Sequence, residues 1–236
     1  FSFLENIFHV FDVFPVFNVS AGSVPLSCRD TSQTPFVFLI FVFVAHQKHP
    51  KGFQIIDQQM GLYYQKPSEF DTYTYTSQVL QAEGLKMAIE AHRSAMPYCM
   101  GTLYWQFNDC WPVASLSSTD YYQNWKALQY YVKKGFEPVL ISPYIDGIKL
   151  KIGIVNDQLE EVKAEMKIKL KNFDGKVIWE NASLVDIPAN SSDDYFDVNI
   201  NEFKYNYRKQ LDGMVMLAEL VNAGNVLSRN TFYFKP

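Results

Sequence analysis

The sequence predicts an α/β segment followed by an all-β sandwich, and three observations carry that prediction. Between residues 68 and 137 a helical pattern, a short β-forming run, a polar loop and a second helical pattern follow one another, as in a parallel α/β unit. From Pro138 onward the period changes to short alternating runs separated by turns. Before residue 46 neither period is present, so the chain divides into residues 1–45, 46–137 and 138–236.

Residues 1–45 stand apart in composition. Ten of the nineteen phenylalanines lie here, there is no lysine, and the charged residues, with histidine counted as neutral, are Glu5, Asp12, Arg29 and Asp30. PFVFLIFVFVA is an apolar, β-branched run that invites aggregation when exposed. The break predicts an atypical Phe-rich segment that is either disordered or foreign to the fold that follows, the latter as a frame or splice error in a gene prediction produces. A transcript read across the codons for Val44 to His46 checks it.

In 46–137, SEFDTYTYTSQVLQAEGLKMAIEAHRSAM predicts a helix capped at Ser68, with Glu69 and Asp71 in its first turn and Val79, Leu80, Ala82, Leu85, Ala88 and Ile89 at helical spacing. Pro97 marks its end. GTLYWQF has the composition and length of a strand, SLSSTDYYQ that of a loop. NWKALQYYVKKGF predicts a helix with Trp125, Leu128, Tyr131 and Val132 on one face and Gly135 at its end.

In 138–236 the runs PVLISPY, IKLKIGIVND, AEMKIKLKNFDG, KVIWENASLVDI, YFDVNI, GMVMLAELVNAG and NVLSRNTFYF read as strands. Asp174-Gly175 is a hairpin turn, and residues 222–225 (Asn-Ala-Gly-Asn) form another. About seven strands in about 100 residues fit an immunoglobulin-like β-sandwich.

Composition narrows the partners. A net charge of -4 with acids and bases interspersed argues against nucleic acid and against an anionic membrane, leaving a neutral partner. The apolar run 36–45 is about half the ~20 residues a membrane-spanning helix needs. Three cysteines, Cys28, Cys99 and Cys110, lack the spacing of a disulfide framework or a zinc site. Sequons at Asn18, Asn181 and Asn190 matter in a secreted protein.

GTLYWQFNDCWP is the chemically unusual stretch. A buried strand rarely carries Gln, Asn and Asp, because each buried polar atom without a partner costs about 1 to 3 kcal/mol. One reading is a packed strand whose Asn108 and Asp109 hold their own backbone. The other is a pocket wall, with Trp105 and Trp111 as aromatic platforms and Asn108 and Asp109 as polar contacts at a strand end. His46 and His49 lack the context of a metal site, so no metal is predicted. Glu83 and Glu90 are read as charges on a solvated helix face.

The run GTLYWQFNDCWPVASLSSTDYYQNWKALQYYVKKGFEPVLIS resembles the β-mannosidase branch of glycoside hydrolase family 2, and HQKHP followed by SQVLQAEG is similar to the segment ahead of it. The resemblance covers residues 46–236. It implies the C-terminal portion of a (β/α)8 TIM barrel followed by an immunoglobulin-like β-sandwich, and retaining hydrolysis of terminal β-D-mannose residues from β-mannosides, with no cofactor. It implies a substrate-binding role for Trp105, Asn108, Asp109 and Trp111.

The two catalytic glutamates of such an enzyme stand about 5 Å apart. The resemblance places the acid/base ahead of this sequence and the nucleophile within residues 1–45, where Glu5, in FLENIF, does not match the motif. No catalytic residue is assigned, and the chain alone is expected to be inactive. The alternatives are a non-catalytic sandwich that binds carbohydrate or protein, and another family 2 activity, β-galactosidase or β-glucuronidase; YWQFND favours the mannosidase form.

Overall fold

A computed structural model of the chain describes residues 51–202 and 211–234. Residues 1–45, Glu5 among them, and His46 and His49 lie outside the described residues. The rest forms two compact units. One comprises residues 51–88 with Leu103–Lys133; the other comprises Ile89–Thr102 and the chain from Lys134 on.

The first unit contains helix α1, Gly52–Tyr63, and most of α2, Phe70–Ser94. Helix α1 is absent from the sequence reading, since Ile55-Ile56 and Gly61 weaken its helical signal. Its one clear mark is the four-residue spacing of Ile56 and Met60, which are buried together with Leu80 and Ala114. Tyr73 of α2 donates its phenol to Asp57 at 2.8 Å, and Lys66 pairs with the same carboxylate at 2.5 Å.

Helix α2 begins one residue later than a cap at Ser68 predicts. The Glu69 carbonyl accepts the first helical bond, from Tyr73 N–H at 2.9 Å, so Glu69 occupies the cap and keeps its charge at the positive end of the helix. Leu80, Ala82, Leu85, Ala88 and Ile89 are buried as predicted, while Val79 is half-buried.

The two glutamates on α2 correct the solvated-face reading. Glu83 accepts the Tyr131 phenol at 2.9 Å. Glu90 is 7% exposed and belongs to the second unit, where it accepts Asn230 Nδ2 at 2.7 Å and the Ser142 hydroxyl at 3.3 Å. Charge on a helix says which groups want solvation, and hydroxyl and amide donors supply that as well as water does.

The strand expected at GTLYWQF is also corrected. Among the described residues it forms no ladder; a single parallel bridge joins Asn108 to Thr119, and a single antiparallel bridge joins Thr119 to Trp125. β-forming side chains make a regular strand only beside a partner that takes their backbone groups, and here one short turn takes two of them. Helix α3, Ala127–Gly135, follows. Leu128 and Val132 are buried, but Trp125 precedes the helix and is 45% exposed, set edge-on to Tyr130 at 5.1 Å. It does not join the buried face. Gly135 ends α3 where a β-carbon would stand 3.1 Å from Ile89 Cγ2, so close approach of α2 also explains the glycine.

The second unit is an antiparallel sandwich. Its strands are β1 Val139–Asp146, β2 Lys149–Asn156, β3 Val162–Asn172, β4 Val177–Ile187, β5 Ser191–Asn199, β6 Met214–Asn222 and β7 Asn225–Tyr233. All seven predicted runs are strands. The sheets are β1-β2-β5 and β4-β3-β6-β7. Strand β4 pairs with β3, not with β5, which departs from the constant-type immunoglobulin arrangement.

Alternation builds the core. Leu150, Ile152 and Ile154 of β2 meet Met166, Ile168 and Leu170 of β3 and Met216, Ala218 and Leu220 of β6 in one buried cluster. Lysines and glutamates between them face water, as with Lys167 opposite Glu219. Both predicted turns form: Gly175 has φ +84°, and Ala223 and Gly224 have φ +47° and +83°, the paired positive values a two-residue hairpin turn needs. Asn156, fully buried, donates Nδ2 to the carbonyls of Glu160 and Pro188, both at 3.0 Å, and holds two loops at the sandwich end.

On β1, Tyr144 donates its phenol to Asp194, 2.8 and 3.0 Å from the two carboxylate oxygens. Burial first, then Asp194, pushes its pKa up to about 12. Between the ordinary tyrosine value near 10 and that figure the unfolded phenol ionises before the folded one, so this contribution to stability falls as pH rises through the window. Denaturant midpoints measured on either side of it should drop for the wild type, and drop less for Tyr144→Phe.

Candidate functional site

The site grows from residues 103–126 of the first unit. Leu103, Trp105 and Phe107 are 93%, 77% and 59% exposed, and Tyr104 and Gln106 between them are half-buried. The side chains keep the period of an extended chain. Its backbone is fixed by residues 118 and 119: Ser118 N–H donates to Gln106 O and Thr119 N–H to Phe107 O, both at 2.9 Å. The hydroxyls of Ser118 and Thr119 reach the same Phe107 carbonyl at 2.9 and 2.8 Å. The Tyr104 and Ser118 hydroxyls are bonded at 3.0 Å.

Asp109 lies below this surface, 4% exposed. Ser115 donates its hydroxyl to Oδ1 at 2.5 Å, Ser117 contacts Oδ2 at 2.7 Å, and Lys126 Nζ lies 3.2 Å from the same oxygen, with the lysine side chain wholly buried. Lys126 also donates to Ser117 Oγ at 2.8 Å and to Ser115 Oγ at 3.2 Å. Burial pulls the Lys126 ammonium below the usual lysine range, opposed by Asp109 and more weakly by Asp120. Asp120 is buried too and closes the next turn, accepting Asn124 N–H at 2.8 Å and Asn124 Nδ2 at 2.9 Å.

Of the four residues singled out from sequence, Trp105 and Trp111 are exposed, the latter 40%, and Asn108 is exposed with its amide toward the Asp109 carbonyl at 3.4 Å. Asp109 is turned inward with both oxygens engaged, so its part here is to shape the segment. Sequence reasoning missed Lys126, Ser115 and Ser117. The signal available for Lys126 was a cation directly preceding the apolar positions of α3, in line with a serine-rich loop. What such a surface can do chemically is stack a sugar ring and bond its hydroxyls. Among the described residues no group of three or more His, Cys, Asp or Glu side chains gathers as metal donors, and no helix is long and apolar enough to cross a membrane.

Comparison with known proteins bears on both units. Residues 149–236 match the mannosidase Ig/CBM-like domain family. β-Mannosidase A of Aspergillus terreus is 27% identical over 66% of this chain and 19% of its own length. β-Mannosidase of Capra hircus is 33% identical over 61% of this chain and 17% of its own. The chain therefore spans about a fifth of the curated relatives it matches. In structure it is similar to the β-D-mannosidase from Dictyoglomus thermophilum, with a TM-score of 0.75 and 29% identity over 82% of this chain and 23% of that one. The matches agree with the resemblance carried by GTLYWQFNDCWP, and together they support a fragment of the β-mannosidase type of glycoside hydrolase family 2.

Proposed function

We propose that this chain is part of a retaining glycosidase that removes terminal β-D-mannose, with residues 46–137 completing a (β/α)8 barrel and Trp105 forming the platform for the mannose ring. The observation that carries the reading is an exposed tryptophan on a segment whose backbone is held by four hydrogen bonds at 2.8 to 2.9 Å. A rigid apolar face suits the C–H groups of a sugar. Trp111 borders the same surface and Asn108 offers its amide to a hydroxyl; Asp109 sets their geometry from beneath. Interspersed charge supports a neutral β-mannoside as partner in preference to nucleic acid or membrane. The chemistry of two carboxylates needs no metal or cofactor.

The test is Trp105→Ala in a reading frame that includes both glutamates, assayed on an aryl β-mannoside. We expect kcat/KM to fall about tenfold or more; an unchanged value removes Trp105 from the site. The 236-residue chain by itself is expected to show no turnover. A second reading, a non-catalytic carbohydrate-binding fragment, draws support from the Ig/CBM-like match over 149–236. Mannoside binding by a Trp105→Ala chain separates them: binding retained in full favours the sandwich as the sugar-binding part.

A further inference from the structure

We infer that Lys126 is a positioning residue for the platform: its ammonium fixes the turn at residues 115–119, and that turn sets where Trp105 and Trp111 stand. The inference rests on the platform reading given above and extends it to a residue that touches no sugar.

Two routes lead outward from Lys126. Its Nζ holds Ser117 Oγ at 2.8 Å, and Ser117 Oγ lies 2.7 Å from the Thr119 carbonyl. Ser118 and Thr119 in turn bond the carbonyls of Gln106 and Phe107, directly beyond Trp105. Along the second route Nζ contacts Asp109 Oδ2 at 3.2 Å, Ser115 Oγ at 3.2 Å and Ser115 O at 3.4 Å. Asp109 and Ser115 are bonded at 2.5 Å, which closes the base of the loop that carries Trp111. The main chain of Lys126 adds a third tie, N–H to Ser118 O at 2.9 Å.

Stability alone does not account for this arrangement. Replacing a buried ion pair by apolar groups of similar volume is often neutral or stabilising. What the pair supplies beyond volume is direction. The Ser117 hydroxyl has one proton, shared between Asp109 Oδ2 and the Thr119 carbonyl, and an ammonium donating to its lone pair leaves that proton for those acceptors. A methionine in place of Lys126 fills the space without selecting one arrangement of the turn.

The experiment labels the full chain with 5-fluorotryptophan and follows the fluorine resonances of its four tryptophans, with Trp179 in the sandwich as internal reference. The variants are Ser117→Ala, which leaves the ion pair in place, the double variant Lys126→Met/Asp109→Asn, and Lys126→Arg. We expect the Trp105 and Trp111 resonances to move beyond their line widths in the first two, Trp179 to stay, and arginine to restore part of the wild-type pattern. Unmoved Trp105 and Trp111 resonances would overturn the inference. So would loss of helical circular dichroism in both Ser117→Ala and the double variant, which would make the network a fold-holding device. No sugar enters this measurement. If the resonances respond to the network while Trp105→Ala leaves kcat/KM unchanged in the reading frame that includes both glutamates, the platform reading fails and the positioning stands.

Discussion

Lys126→Met is expected to lower the stability of the first unit by about 3 to 5 kcal/mol, the range for removing one partner of a buried ion pair. The side chains of Lys126 and Asp109 are 0% and 1% exposed, so the remaining carboxylate keeps only the serine hydroxyls and has no access to water. Asp109→Asn alone should also destabilise, since it strands the ammonium. The double variant should lose less than the sum of the two, because neither charge is then left alone. Urea unfolding followed by helical circular dichroism reads this, the helices α1 to α3 supplying the signal. A Lys126→Met chain within about 0.5 kcal/mol of the wild type would mean that the pair is solvated and that the network carries no weight.

Ile168→Ala should cost about 2 to 5 kcal/mol in the sandwich. Ile168 is fully buried, and its strand is central in its sheet, pairing with Asn181 of β4 on one side and Ala218 of β6 on the other. Ladders on both sides restrain the backbone from closing over the cavity. The control lies on the neighbouring strand: Leu184 is 88% exposed, and Leu184→Ala should change stability by no more than about 0.5 kcal/mol. Trp179, packed against the same core, reports unfolding by fluorescence. Equal costs for the two substitutions would contradict the assignment of faces on this sheet.

These contrasts show where the chain was legible. In the sandwich every strand was foreseen, because alternation of apolar and polar residues is a local record of which face is buried, and Gly175 and Gly224 announce the positive φ values of their turns. Helix α2 was legible for the same reason. Helix α1 was not, since Ile56 and Met60 mark a face too narrow to show a period. GTLYWQF failed in the opposite sense: its residue types favour a strand, yet strand formation is decided by a neighbour, and residues 118 and 119 offer only a short one.

At the site, sequence alone marked Trp105, Asn108, Asp109 and Trp111 as polar and aromatic residues out of place in an apolar run, and through the resemblance of that run it indicated the family. It also determined the sandwich, strand by strand. Tertiary structure decided which of those residues face outward and which are turned in. Asp109 and Glu90 look alike in sequence to any solvent-exposed acid, and both are buried because donors from distant positions reach them, Lys126 and two serines in one case, Ser142 and Asn230 in the other. Burial of a charge depends on such partners, and their approach is set by the folded chain rather than by the residues beside it.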